Sequence, residues 1–242
     1  MDAILYCNLH PYMDIKTQGC DLQSCFLCRL CLKDWLPAIA ANKTTIKVKR
    51  GQQLFKEGDA ATGIYFVNSG IVKVHKRWDA DKELIIRFAK QGGMLGIMSL
   101  GENLSYPVSA TVLESGAVCF ISLEFFESTL KVNSDITYQL LLFFAAELRE
   151  SEKRMRNLAH MPVKGRIAQA LINLQKQFGQ NQDGYIEIEL TRQDLASFAG
   201  ATYETVFRML NEMVKDGLLS TNGKYIKIAN AAGIMALVEE QE

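Results

Sequence analysis

Residues 191–219 read TRQDLASFAGATYETVFRMLNEMVKDGLL: two amphipathic segments flanking a run of small residues, each preceded by a threonine. Thr191 can accept from first-turn amides, and Asp194 stands at the third helical position, where its side chain can return the bond. Leu195, Ala196 and Phe198 form an inward face, Ala199-Gly200-Ala201 supplies a tight turn, and Thr202 caps a second segment. That segment carries Val206, Met209, Leu210 and Met213 at the three-and-four spacing of one buried helix face. Two helices joined in this way predict a helix-turn-helix. The second helix of such a unit can enter a DNA major groove with its first side chains on base edges. In 218-LLSTNGKYIKI-228, Asn222-Gly223 between two apolar runs predicts a hairpin, and so a wing.

The start of the second helix suits that task. Glu204 and Arg208 stand one turn apart. On an ordinary surface they would be an ion link worth about 0.2–0.5 kcal/mol. At the start of a recognition helix, arginine chelates guanine O6 and N7 while a carboxylate accepts from cytosine N4, and the position favours this role. Tyr203 and Phe207 complete the candidate base-facing set; Phe207 either touches a thymine methyl or packs. Thr191, Arg192, Thr202 and Lys224 are candidate phosphate contacts. Between residues 160 and 230, eight Lys/Arg (164, 166, 176, 192, 208, 215, 224, 227) face seven Asp/Glu (183, 187, 189, 194, 204, 212, 216), so phosphate binding needs the cations gathered on one face. Residues 149–166, which overlap that span at Lys164 and Arg166, hold six basic against two acidic ones.

Upstream, 134-SDITYQLLLFFAAELRESEKRMRNLAHM-161 has helical period. Its seam of Leu141, Phe144, Leu148, Ser151, Met155 and Leu158 advances by three and four, a stripe that suits a partner helix. The front half, Leu140 to Ala146, is apolar widely enough to cover the chain's own core, whereas the back half is charged outside the seam. That contrast predicts a homodimer. Pro162 and Gly165 mark a break. Residues 165–179, GRIAQALINLQKQFG, then predict a helix ending at Gly179, and 181-NQDGYIEIEL-190 a turn and a strand.

From Thr44 to Ser122, short apolar runs alternate with turn residues such as Glu57-Gly58-Asp59 and Asn68-Ser69-Gly70, the pattern of an all-β sandwich or barrel. Before it, 31-CLKDWLPAIA-40 is a short amphipathic stretch interrupted by Pro37. The expected organisation is a cysteine-rich segment (1–33), a barrel (34–132), a dimerisation helix (133–161) and a winged helix-turn-helix (162–242).

With 48% apolar and 22% charged residues and a net charge of zero, the 242-residue composition is that of a soluble globular protein. No apolar run has bilayer length, and the N-terminus lacks the build of a secretory signal. The expected location is the cytoplasm, with no membrane partner. No nucleophile–base pair or phosphate loop suggests an enzyme. In a reducing compartment, 20-CDLQSCFLCRLC-31, four cysteines in twelve residues, points to metal or redox chemistry.

A β-rich sensor, a long helix and a winged helix-turn-helix together resemble the CRP/FNR superfamily of bacterial transcription regulators. The resemblance is carried by 52-QQLFKEGDAATGIYFVNSGIVKVHK-76 and by the segment that opens this section, in which Glu204 and Arg208 match the family's base-contacting pair. It implies an α+β fold: a cyclic-nucleotide-binding-like jelly roll, a dimerisation helix and a winged helix-turn-helix. It further implies a palindromic duplex with TGA-like half-sites, a second copy of the chain, and RNA polymerase as partner. cAMP is not expected. In 92-GGMLGIMSLGENLSYPVSATV-112, Gly92-Gly93-Met94 replaces the acidic ribose ligand, and Tyr106-Pro107-Val108-Ser109 offers no arginine to a phosphate.

The FNR branch places a cysteine cluster ahead of the barrel and one more inside it. Cys25, Cys28, Cys31 and Cys119 would then hold a [4Fe–4S] cluster responding to oxygen, nitric oxide or redox state. Cys20 is the reserve ligand, because the family's gap before the third clustered cysteine is longer. Zinc, a thiol–disulfide switch, or haem or a small effector in the barrel remain open. For haem, His75 is the sole barrel histidine, on what is expected to be the surface, with Met94 or Met98 as axial ligands. Ser151 carries no charge to repel its mate, so the dimer is expected to outlast the cluster.

Overall fold

The structure, a computed structural model, describes residues 25–79 and 82–239. Cys20, the reserve ligand, lies outside the described residues.

The chain opens with a five-residue helix, α1 (Phe26–Leu30), and a single 3-10 turn (Lys33–Trp35). Helix α2 (Leu36–Asn42) follows, with Pro37 in its first turn. Pro37 therefore starts this helix rather than interrupting it, because a first-turn amide has no intrahelical acceptor to lose. Strands β1 (Lys43–Val48), β2 (Gln53–Phe55), β3 (Gly63–Arg77), β4 (Glu83–Ala89), β5 (Met94–Leu95) and β6 (Ser109–Ser122) form one antiparallel sheet. Its main path runs β1-β6-β3-β4, with β2 on β6 and β5 on β3.

The expected succession of short strands is corrected here. Asn68-Ser69-Gly70 does not end a strand; it is a bulged bend within the 15-residue β3, where the register with β6 shifts. Gly70 has φ +83°, and a Cβ on the facing Gly116 would lie 2.2 Å from the Ser69 carbonyl oxygen. The bend thus needs glycine on both strands. Two long bent strands let one sheet wrap around Val67, Val72, Val112 and Val118.

Ser122 caps α3 (Leu123–Val132), and α3 passes through Asn133 into α4 (Ser134–His160), a helix of 27 residues. Asn133 is buried and ties three segments together. Its Nδ2 donates to the Thr129 carbonyl at 2.9 Å, and its Oδ1 accepts from Leu32 N at 2.9 Å. The front of α4 packs Ile136 and Leu140 against β3, β6 and α1, with Phe143 and Phe144 beside them, whereas Leu141 and Leu142 of the wide apolar stretch stay exposed.

After Pro162 come α5 (Val163–Phe178), α6 (Arg192–Ala199) and α7 (Tyr203–Lys215). Strands β7 (Leu219–Asn222) and β8 (Tyr225–Ile228) form the hairpin, and α8 (Ala231–Glu239) closes the described chain. The expected strand at 181–190 is absent; only an isolated bridge joins Gln180 and Ile186. Ile186, Ile188 and Leu190 nevertheless face the core, so their apolar alternation reports burial and not pairing. Helix α8 was not anticipated from the sequence; it packs on α5 and buries Ile234.

One apolar cluster joins β3–β4 residues Ile71, Ile85 and Phe88 to Ile167, Leu171, Leu195 and Leu210 of the C-terminal unit. A polar network runs alongside it. Lys73 of β3 pairs with Glu83 of β4 and, at 3.0 Å, with Asp194 of α6. His75 is not on the surface as expected. Its ring is fully buried, with Nε2 2.9 Å from Thr111 Oγ1 and Nδ1 3.0 Å from Glu83 Oε2. Contact with His75, joined by Lys73 and opposed by burial, draws the Glu83 carboxyl from 4.5 to about 2. Burial alone would lower Lys73, but the Glu83 and Asp194 carboxylates outweigh it and hold the amine above its ordinary value.

Because folding depresses this carboxyl's pKa, the stabilisation is complete above pH 4.5 and disappears as pH falls toward about 2. Glu83→Gln should lower stability at pH 7 by about 1–2 kcal/mol, screening included. In urea unfolding, the gap from wild type should close across that same acid window; a gap that stays constant down to pH 2 would refute the assignment.

Candidate nucleic-acid interface and cysteine site

Helix α6 begins at a complete capping box between Thr191 and Asp194, and Gly200 (φ +66°) ends it in the left-handed region. Thr202 Oγ1 accepts from Thr205 N at 3.3 Å and starts α7. Val206, Leu210 and Met213 are buried. Pinning that face turns Tyr203, Glu204, Phe207 and Arg208 outward, all four exposed. Tyr203 and Phe207 stack, ring centroids 6.1 Å apart and planes 16° from parallel. Phe198 does not join the unit's innermost core: it lies edge-on to Phe88 of β4 at 5.0 Å.

In the wing, Asn222 pairs with Tyr225, so the turn residues are Gly223 (φ +58°) and Lys224, one position later than the Asn-Gly signal implies. Arg192 Nη2 donates to the Gly223 carbonyl at 3.1 Å, which ties the wing turn to the start of α6. Lys224 pairs with Glu189 at 2.6 Å, and Arg50 of the barrel reaches the same carboxylate at 3.3 Å. The bond from Lys224 leads in holding the Glu189 carboxyl below its usual range. Such an exposed pair contributes little and can be exchanged for another anion. Thr191 is engaged too, its hydroxyl bonded to Asp194 Oδ2 at 2.5 Å.

The cysteines converge on the other end of α4. Cys25 caps α1, Cys28 lies within it and Cys31 follows it, so the three occur at i, i+3 and i+6, near one face of a single turn-and-a-half. Cys119 sits in the middle of the sheet on β6, with Thr45 of β1 and Phe66 of β3 as its register partners. Its Sγ is 3.8 Å from Thr45 Oγ1. Cys25, Cys28 and Cys119 belong to one buried apolar cluster with Ile136 and Leu140 of α4, and Cys31 packs against it. Burial pushes the Cys31 thiol up, and Cys25 adds to the effect through space.

Four thiols on two segments match the donor set of a four-iron cube, in which each iron takes one thiolate. Among the described residues no group of three or more His, Cys, Asp or Glu is placed to hold a metal ion. Of the haem candidates, Met94 is buried and Met98 is 61% exposed, while both His75 nitrogens face protein groups.

The seam of α4 is half displayed. Leu141, Leu148 and Met155 are each more than 60% exposed, and Ser151 is exposed beside them. Phe144 turns inward to the cysteine cluster. Leu158 lies close to Gly200, where a Cβ would come within 2.4 Å of its Cδ2. Arg154, beside the seam, holds two units at once: it donates to the Ile86 carbonyl and, at 3.0 Å, to that of Ile85 in β4. It also donates to the Phe198 carbonyl in α6 at 3.1 Å and lies 4.9 Å over the Phe198 ring. Nothing in the helical period marks Arg154; its only sequence signal is a charge within a charged segment.

A sensor-like barrel joined by a long helix to a winged helix-turn-helix is the build of a DNA-binding transcription regulator. The profile of the cyclic nucleotide-binding domain matches residues 45–133, and that of the Crp-like helix-turn-helix domain matches 165–237. The chain is 34% identical over 188 residues to the anaerobic regulatory protein of Bacillus subtilis, covering 76% of this chain and 79% of that one. It is 29% identical over 235 residues to the fumarate and nitrate reduction regulatory protein of Salmonella typhimurium, covering 92% and 93%. The solved structure of FixK2 from Bradyrhizobium japonicum superposes with a TM-score of 0.71 at 22% identity over 81% of this chain and 96% of that one, a likeness of fold. The chain belongs to the CRP/FNR family of transcription regulators and is not an enzyme. No helix among the described residues is long and apolar enough to cross a membrane.

Removing the Arg154 guanidinium strands three carbonyls that share it. Arg154→Ala should cost about 1–3 kcal/mol in guanidinium unfolding. Arg154→Lys should recover only part, because one ammonium lacks the planar fork that serves several acceptors. An unchanged midpoint for Arg154→Ala would show that the junction does not depend on it.

Proposed function

We propose that the chain binds palindromic promoter DNA as a homodimer under the control of a [4Fe–4S] cluster held by Cys25, Cys28, Cys31 and Cys119, in the cytoplasm and with RNA polymerase as its eventual partner. The observation that carries the cluster is the burial of Cys119 in the same apolar group as Cys25 and Cys28, on the face where α4 begins. When bound, the cluster supplies a centre that oxygen or nitric oxide can attack. The chain's own residues do the rest. Asn133, bonded to both Leu32 N and the Thr129 carbonyl, couples the cysteine segment to the first turn of α4. Trp35 adds a bond to Thr129 Oγ1 at 3.1 Å. At its far end α4 carries Arg154, which grips α6. A change in the cysteine segment thus reaches the reader along one helix.

In a dimer paired through Leu141, Leu148 and Met155, two copies of α7 would stand about one DNA turn apart, roughly 34 Å. Arg208 then reads guanine and Glu204 the opposing cytosine of a TGA-like half-site. Arg192, Thr202 and Lys224 flank them as phosphate contacts. A cyclic nucleotide is disfavoured by packing: Tyr106, where a phosphate clamp would begin, stacks on Phe55 at 4.0 Å, and its hydroxyl donates to the Gly63 carbonyl at 2.8 Å.

Anaerobically purified protein should be brown, with about four irons per chain; Cys119→Ser should lose colour and iron together, and air should abolish operator retention by the wild type. A colourless chain with one zinc, or a haem band, would overturn the cluster.

In gel filtration the iron-free wild type should still elute as a dimer, because Ser151 places no charge on the seam. Elution as a monomer would refute that.

A further inference from the structure

Helix α7 displays two rows of side chains. Glu204 and Arg208 form one; Tyr203 and Phe207, also one turn apart, form the other, rotated by about 100° around the helix. The second row is apolar and outward-facing: Tyr203 is 42% and Phe207 48% exposed, and the rings stack on each other instead of entering the core beneath them. Three buried residues, Val206, Leu210 and Met213, fill that core without them. Tyr203 also lies within electrostatic reach of Arg192, whose guanidinium is bonded to the wing-turn carbonyl of Gly223. An aromatic pair next to a hydrogen-bonding pair, at the N-terminal end of a groove-entering helix, presents flat hydrocarbon where base edges pass. In the major groove the hydrocarbon on base edges is the C5-methyl group of thymine.

We propose that the stacked Tyr203–Phe207 pair is a specificity-determining edge that reads the methyl groups of thymines adjoining the base pair taken by Glu204 and Arg208. This rests on the DNA-reading role proposed above and adds to it a preference that charge and hydrogen bonding do not supply. Phe207, deeper along the helix, covers the methyl nearer the guanine read by Arg208. Tyr203 covers the one toward the wing and supports the ring of Phe207 from behind.

The test uses full-length protein purified anaerobically and the duplex it selects from a randomised pool. Each thymine of one half-site is replaced in turn by deoxyuridine, which keeps every hydrogen-bonding group and removes only the methyl. At one or two positions beside the guanine, the wild type should lose about 3–5-fold in affinity, the effect of one methyl leaving an apolar contact. Phe207→Ser should bind the unmodified duplex more weakly and become indifferent to deoxyuridine at the nearer position; Tyr203→Ala should do so at the farther one. The dependence of affinity on salt should not change in either variant, since no phosphate contact is altered. A flat deoxyuridine scan with the wild type overturns the proposal, whatever the variants do. So does a Phe207→Ser variant that loses thermal stability yet keeps the wild-type scan, for then the pair merely supports the helix. Arg208→Ala separates the two levels: if it binds the selected duplex as tightly as the wild type, the reader role itself fails; if it binds poorly while the scan is flat, only the methyl contact fails.

Discussion

The guanidinium of Arg154 sits where three units meet. It leaves the long helix, reaches the carbonyls of Ile85 and Ile86 on the barrel's outer strand and that of Phe198 in the first helix of the reader, and lies over the Phe198 ring. Burial lowers its pKa, opposed by Glu150 and Glu147, yet an arginine in this setting stays charged. A partly buried cation must keep its acceptors, and these acceptors belong to backbone that cannot rotate away. The orientation of the reader relative to the barrel is therefore linked to the orientation of one helix.

That helix is asymmetric in what it touches. Its front is embedded in the apolar cluster that contains Cys25, Cys28 and Cys119, its outer side exposes leucines and a methionine, and its back carries Arg154. Between these, Arg87 of β4 donates to the Met94 carbonyl at 2.6 Å and pairs with Glu147 of the helix at 3.5 Å. Burial, partly offset by Glu147, lowers the pKa of this arginine too. Two arginines thus fasten the helix to the sheet at two heights, and Asn133, just ahead of its first turn, ties it to the cysteine segment. A rigid rod attached in this way transmits a shift at one end to the other, because packed interiors do not deform continuously.

The Lys73 network adds a second tie of a different kind. Asp194 closes the capping box of α6 and also accepts from a barrel lysine, so the start of the reader's first helix and the sensor sheet share one carboxylate. His75, fully buried, and Glu83, partly buried, complete the group. Paired charges of this sort contribute modestly to stability but fix geometry, since breaking one partner leaves the others uncompensated.

Local order along the chain was legible residue by residue. The threonine caps, the Gly200 turn, the buried face of α7 and the extent of α4 all follow from spacing and from the few residues that can occupy a cap or a left-handed turn. Gly70 shows the limit of such signals: glycine announces a positive φ but does not say whether the strand ends there or bends through it, and only the facing Gly116 resolved it. The same holds at 186–190, where alternation reports burial without a partner strand. What tertiary structure alone decided is long-range contact: Cys119 beside a helix about ninety residues earlier, His75 drawn inward by Thr111 and Glu83, and Arg154 bridging strand and reader. Those contacts depend on how two bent strands and one long helix come together in space, and a one-dimensional pattern carries period and propensity but no information about which distant face will be opposite.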